Sequence, residues 1–217
     1  MQTLPTVPIK LYRHPLSGHS HRAELFAHLL GLPLDLINVD LLSGEQRQPD
    51  FLRLNRFGQV PVIDDDGIVI ADANAILIYL AMRYGPEHWL PRDPARAASV
   101  QQWLSQAAGA LSRGAATARA INVFKLQRDS TAAVQEAHWL FVRMEAALLE
   151  NDEPWLVAGP MPTVADVALY TYTAHVNEGG VSLDDYAALR HWIQRVEALP
   201  GFTPMAFSAV GLRSRPT

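Results

Sequence analysis

Cysteine is absent from the 217-residue chain. Disulfides, thiolate metal sites, a CxxC redox pair and a cysteine nucleophile are therefore excluded together. Runs of basic residues are missing too. Eighteen Lys and Arg stand against twenty-two Asp and Glu, a formal charge of −4 with neutral histidines, which is not the electrostatic footprint of a nucleic-acid binder. Long apolar runs are equally scarce. The stretch nearest to a membrane span, Ala75 to Met82, falls well short of the roughly 20 residues a spanning helix needs, so no membrane partner is expected. The N-terminal MQTLPTVPIKLYRH places prolines where a signal peptide needs its apolar centre, and the expected location is the cytoplasm.

What is present describes a folded globular chain. Hydrophobic residues make up 49% and charged residues 18%, far from the low-hydrophobicity, high-charge mix that keeps a chain disordered. The length allows one large domain or two small ones.

The first third alternates strand and helix signals. Ile9 to Tyr12 reads as a strand, and Ser17 to Leu30 as a helix with Leu25, Leu29 and Leu30 at helical spacing and Gly31 as its stop. Leu34 to Val39 reads as a second strand, and Pro49 to Leu54 as one or two helical turns. Val60–Ile63 and Ile68–Ile70 flank Asp64-Asp65-Asp66-Gly67, a strong hairpin signal that predicts antiparallel strands. Asp72 then caps a helix ending near Gly85 and Pro86. Beyond a Pro-containing connector, Ala95–Val123, Thr131–Glu150, Val164–His175 and Tyr186–Leu199 all favour helix. Thr163 and Asp166 suit a reciprocal helix cap, and the Ala-rich tract from Gly109 to Ala120 suits close helix packing.

Three places could carry chemistry. The turn Pro15-Leu16-Ser17-Gly18-His19-Ser20 presents hydroxyls and backbone N–H groups at a helix start, where anions are favoured; the plain alternative is that Ser17 or Ser20 is only a cap. His14, His19 and His21 have no carboxylate in the turn and lack the i, i+4 spacing of a helical zinc motif, so no metal site is expected. In Gly58-Gln59-Val60-Pro61-Val62, a cis proline would turn the backbone of Val60 outward as an edge for an extended peptide. In Ala71-Asp72-Ala73-Asn74, Asp72 can cap a helix and still face an ammonium group, while the N–H groups of Ala73 and Asn74 suit a carboxylate.

In order and spacing, LYRHPLSGHSHRAELF, GEQRQPDFLRLNRFGQVPVI, ADANAILIYLA and PTVADVALY resemble the soluble glutathione transferases of the bacterial type. The resemblance covers nearly the whole chain. It implies an α/β plus all-α fold: a thioredoxin-like glutathione-binding domain over residues 1–84, a linker over 85–92, and an all-helical domain over 93–217 lining the electrophile pocket. It further implies glutathione as co-substrate, a hydrophobic electrophile and a homodimer. Ser17 corresponds to the serine that holds the glutathione sulfur in serine-type classes; Tyr12 is the rival from the tyrosine classes, with His19 and Ser20 as lesser candidates. Val60 would pair with the cysteinyl portion of glutathione, and Pro61 would be the family's cis-proline. Asp72, with Ala73 and Asn74, would meet the γ-glutamyl end, Gln59 the same end, and Arg47, with Gln46 beside it, the glycyl carboxylate. Thr163 and Asp166 match a capping element that serves folding.

Two departures stand out. Ala73 follows Asp72 where the family usually has serine, and Arg56 follows Asn55 where it usually has proline. The missing hydroxyl keeps a second reading open, a binding protein on the same fold without strong catalysis. Trp103, Ile121, Val123 and Phe124 offer apolar surface for an electrophile, although each also suits a core position.

Overall fold

The computed structural model describes residues 4–151, 153–206 and 208. Of these, the residues up to Leu90 join Leu199–Ala206 in one compact unit, and Pro91–Ala198 with Ser208 form another.

β-Branched and apolar residues build the first unit's sheet from β1 (Ile9–Arg13), β2 (Leu34–Asn38), β3 (Val62–Asp65) and β4 (Ile68–Ala71). Its order is β2-β1-β3-β4, with β1 parallel to β2 and antiparallel to β3, and β3 antiparallel to β4. The helices are α1 (Gly18–Leu29), α2 (Pro49–Leu54) and α3 (Ala73–Tyr84). Side chains alternate along a strand, so Ile9 and Leu11 face one side of β1 and Tyr12 the other. Tyr12 meets Phe51 of α2 edge-on at 6.3 Å, which leaves Leu11's side for α1 and α3. Strand β3 begins two residues later than the sequence predicts. The Val60–Pro61 bond is cis, and proline has no N–H to give a ladder.

The C-terminal stretch that returns to this unit docks on α1. A ring nitrogen of His21 lies 2.8 Å from the Thr203 carbonyl. At Gly201 the backbone adopts φ +84°, and a Cβ there would sit 2.6 Å from the His28 carbonyl oxygen, so only glycine allows this approach.

Among the described residues the regular elements of the second unit are all helical: α4 (Pro94–Gln106), a π-helical stretch (Ala107–Ala116), α5 (Thr117–Val123), α6 (Thr131–Glu150), α7 (Val164–Ala174), a 3-10 turn (Val176–Gly179) and α8 (Ala187–Glu197). The Ala-rich tract is a close packing surface, because a Cβ on Gly114 would lie 2.7 Å from the Ala137 backbone nitrogen of α6. Two buried polar clusters sit in this unit. Glu178 accepts from Arg119 Nε–H at 2.6 Å and lies 3.4 Å from His175 Nδ1. Burial works against its ionised form, but the His175 contact and the Arg119 charge outweigh it and hold the carboxyl at about 2. The other cluster is the cap of α7. Asp166 Oδ1 accepts from Leu156 N–H and Trp192 Nε1–H, and its Oδ2 accepts from the Thr163 N–H and hydroxyl.

Candidate active site

Strand register brings the predicted segments to one end of the sheet. Tyr12 pairs with Val62, Val62 with Ala71, and Arg13 with Asn38. The loop leaving β1, the loop leaving β2, the segment entering β3 and the segment leaving β4 therefore all emerge on the same side. Ser17, Arg47, Gln59 to Pro61, and Asp72 to Asn74 lie on those four segments.

Ser17 is the N-cap of α1, with extended backbone at φ −85°. Its Oγ accepts the Ser20 N–H at 3.2 Å, and its N–H donates to the His14 carbonyl at 2.9 Å. The cap uses a lone pair of the hydroxyl and not its proton. Ser20 is fully buried, and its Oγ accepts the His14 N–H at 3.3 Å, an internal brace of the turn. His14 Nδ1 accepts the Leu16 N–H at 3.2 Å; burial pushes this imidazole down, with Asp40 opposing and Arg13 adding. Burial and then the Arg22 charge push His19 down to about 3. Both rings are neutral at neutral pH, as a helix N-terminus favours.

Tyr12, in β1, is half-buried against the cluster of Val39, Phe51 and Val62, together with Leu41, Leu54, Val60 and Ala71. Its ring thus faces the α2 side of the sheet.

The approach to Pro61 is templated by Asn55. The buried Asn55 side chain donates from Nδ2 to the Gln59 carbonyl at 2.8 Å and accepts the Phe57 N–H at 3.0 Å. Gly58, at φ +59°, comes so near the Gln46 carbonyl that a Cβ would be 2.9 Å away. This contact holds the Gln59–Pro61 segment beside the 3-10 turn Glu45–Arg47. Arg56, Gln59 and Arg47 are exposed and Val60 half-buried.

Asp72 caps α3 from a left-handed backbone, φ 78° and ψ 129°, a conformation that costs a residue with a Cβ about 1–3 kcal/mol. Its Oδ1 accepts both the Asn74 N–H at 2.9 Å and the Ala75 N–H at 3.0 Å, so the second carboxylate oxygen takes no part in the cap. The Asn74 N–H, one of the two considered for a carboxylate, is engaged by Asp72 within the cap. Ala73 is buried. The second turn of α1 is tied to the first turn of α3 by a side chain that sequence reasoning did not single out: Arg22 Nη1 donates to Asn74 Oδ1 at 2.7 Å. A buried arginine carries no local signature, and only its odd position on an otherwise apolar helix face could have marked it.

Of the apolar residues considered for the second unit, Ile121 is buried and Phe124 is 41% exposed. Trp103 Nε1 donates to the Leu156 carbonyl at 3.0 Å.

A family model described as glutathione S-transferase, N-terminal domain, matches residues 7–82. Human glutathione S-transferase theta-2 is 31% identical over 206 residues, covering 89% of this chain and 82% of that protein. The crystal structure of a glutathione S-transferase from Pseudomonas fluorescens superposes with a TM-score of 0.85 at 30% identity, covering 93% of this chain and 100% of that one. A glutathione transferase homologue from Drosophila mojavensis, solved with bound glutathione, gives a TM-score of 0.80 at 25% identity over 90% of each chain.

Proposed function

The chain belongs to the glutathione S-transferase family, whose members use glutathione as co-substrate, and on that premise we propose that Ser17 holds the sulfur of glutathione as a thiolate that attacks a hydrophobic electrophile. The observation that carries this reading is the strand register, which gathers the Ser17, Pro61 and Asp72 segments at one sheet end. Ser17 adds to it, because its oxygen already accepts from Ser20 and its hydroxyl proton remains for an anion. A thiol with pKa near about 8.5 is only a few per cent ionised at neutral pH, and lowering it by roughly 2 units takes about 2.7 kcal/mol. A hydrogen bond to a charged group supplies about 1.5–3 kcal/mol, and the start of α1 adds to it.

With an aryl halide as electrophile, the thiol proton passes to solvent, the thiolate forms a carbon–sulfur bond, and the carbon–halogen bond breaks to release halide. Residues 1–84 bind the tripeptide in this reading and residues 93–217 the electrophile. Val60 pairs its backbone with the cysteinyl portion, Asp72 meets the γ-glutamyl ammonium with the oxygen its cap leaves unused, and Arg47 faces the glycyl carboxylate. The packing of Tyr12 against Phe51 favours Ser17 over Tyr12. The functional form is a homodimer in the cytoplasm, and sedimentation velocity showing only the 24.0 kDa monomer would remove the dimer.

Conjugation of a chromogenic aryl halide by the parent and by Ser17→Ala tests the central assignment. A fall in turnover of about tenfold or more is expected, the loss of one charge-assisted hydrogen bond. Unchanged turnover would move the role to Tyr12, to be checked with Tyr12→Phe.

A further inference from the structure

Arg22 has no role in the functional reading above. It lies in the second turn of α1, is 1% exposed, and its Nη1 meets Asn74 Oδ1 at 2.7 Å. A guanidinium is always charged, and placing one in a protein interior is costly unless its donors are satisfied. Bulk packing alone would be served more cheaply by an apolar side chain, so a buried arginine at this place points to what it holds. It holds the first turn of α3. Asn74 is fixed there by its N–H on Asp72 Oδ1 and by its side-chain oxygen on Arg22. The same Asp72 oxygen takes the Ala75 N–H, so a displacement of Asn74 would carry Asp72 with it.

The two helices joined in this way carry, in the reading above, the residues that meet two different parts of a single tripeptide, the sulfur of its central cysteine at Ser17 and its γ-glutamyl group at Asp72. We propose that Arg22 is a positioning residue for glutathione, which acts through Asn74 to set the spacing between the Ser17 and Asp72 ends of the site. This inference rests on the proposed role of Ser17 and Asp72. It accounts for how the γ-glutamyl end stays organised although residue 73 is an alanine with no hydroxyl. A planar fork with a fixed donor geometry suits that task better than a flexible ammonium.

A double-mutant cycle on the full chain tests it, with glutathione and an aryl chloride as varied substrates. Asn74→Ala and Arg22→Lys are each expected to raise KM for glutathione about tenfold. In both, kcat at saturating glutathione should stay within about twofold, as loss of uniform binding requires. KM for the aryl chloride should not move. Arg22→Met should be worse than Arg22→Lys, because lysine keeps the charge and hydrogen-bond donors, though not the fork geometry. The double variant Arg22→Lys with Asn74→Ala should be no worse than the worse single variant, since both remove one tie.

Multiplicative effects in the double variant, or parallel rises in both KM values, would overturn the proposal and leave Arg22 a packing residue. If the Arg22 variants fail to fold, Asn74→Ala decides alone: an unchanged KM for glutathione overturns it. Calorimetry on the parent separates the two levels. A parent that takes up no glutathione overturns the functional reading and this inference together, whereas a parent that binds it while the cycle is multiplicative overturns this inference only.

Discussion

Among the helix starts that use an aspartate, those of α7 and α3 use it differently. At α7, Asp166 is wholly buried, each of its oxygens takes two donors, and Thr163 completes a reciprocal capping box. Burial pushes its carboxyl above the usual range, against the pull of those four hydrogen bonds. At α3, Asp72 is exposed, satisfies two N–H groups with one oxygen, and does so from a left-handed backbone. A cap whose every acceptor is matched inside the fold is built for stability. At α3 one oxygen does the capping and the other is left outside the cap, which is the oxygen the proposed function assigns to the γ-glutamyl ammonium.

The same substitution should therefore give opposite results in the two places. Asp166→Asn turns one acceptor oxygen into a donor facing two donors, and the expected loss is about 3 kcal/mol of unfolding free energy, read by urea denaturation. Glutathione affinity corrected for the folded fraction should stay unchanged. Asp72→Asn keeps a good N-cap that tolerates a left-handed backbone, so stability should shift by less than about 0.5 kcal/mol. It removes the charge, and glutathione affinity measured by calorimetry should fall about 10-fold to 150-fold, equivalent to about 1.5–3 kcal/mol. Equal stability losses from both variants would erase the contrast. Within the α7 cap a smaller stability loss than that of Asp166→Asn should come from Thr163→Ala, about 1 kcal/mol, because Asp166 retains its other donors. A loss as large as that of Asp166→Asn would show that the threonine, rather than the aspartate, anchors the box.

Much of this architecture is legible in the chain itself, for local reasons. Asp64-Asp65-Asp66-Gly67 marks the hairpin, and Asp72 and Thr163 mark helix starts, because turns and caps need particular side chains at fixed offsets. The segments of the candidate site are legible to the same extent: Ser17, Pro61 and Asp72 each sit at a punctuation point. What the sequence conceals is long-range or a matter of backbone register. The late start of β3, at Val62, is such a matter: Pro61 has no N–H for the ladder, and only the register shows that pairing resumes directly after it. The π-helical stretch Ala107–Ala116 has the composition of any alanine-rich helix. That Asp72 engages the Asn74 N–H, and that Arg22 reaches Asn74 across 52 positions, depend on where two helices come to rest.

The return of Leu199–Ala206 to the first unit has a consequence for biosynthesis. His21 finds the Thr203 carbonyl, and His28 its glycine neighbour, only after all of Pro91–Ala198 has been translated. Vectorial folding on the ribosome is thus incomplete for the portion made first. An isolated fragment ending at Leu90 would carry an α1 stripped of its last clasp, and a permuted gene that moved Leu199–Ala206 ahead of β1 would let that portion mature early.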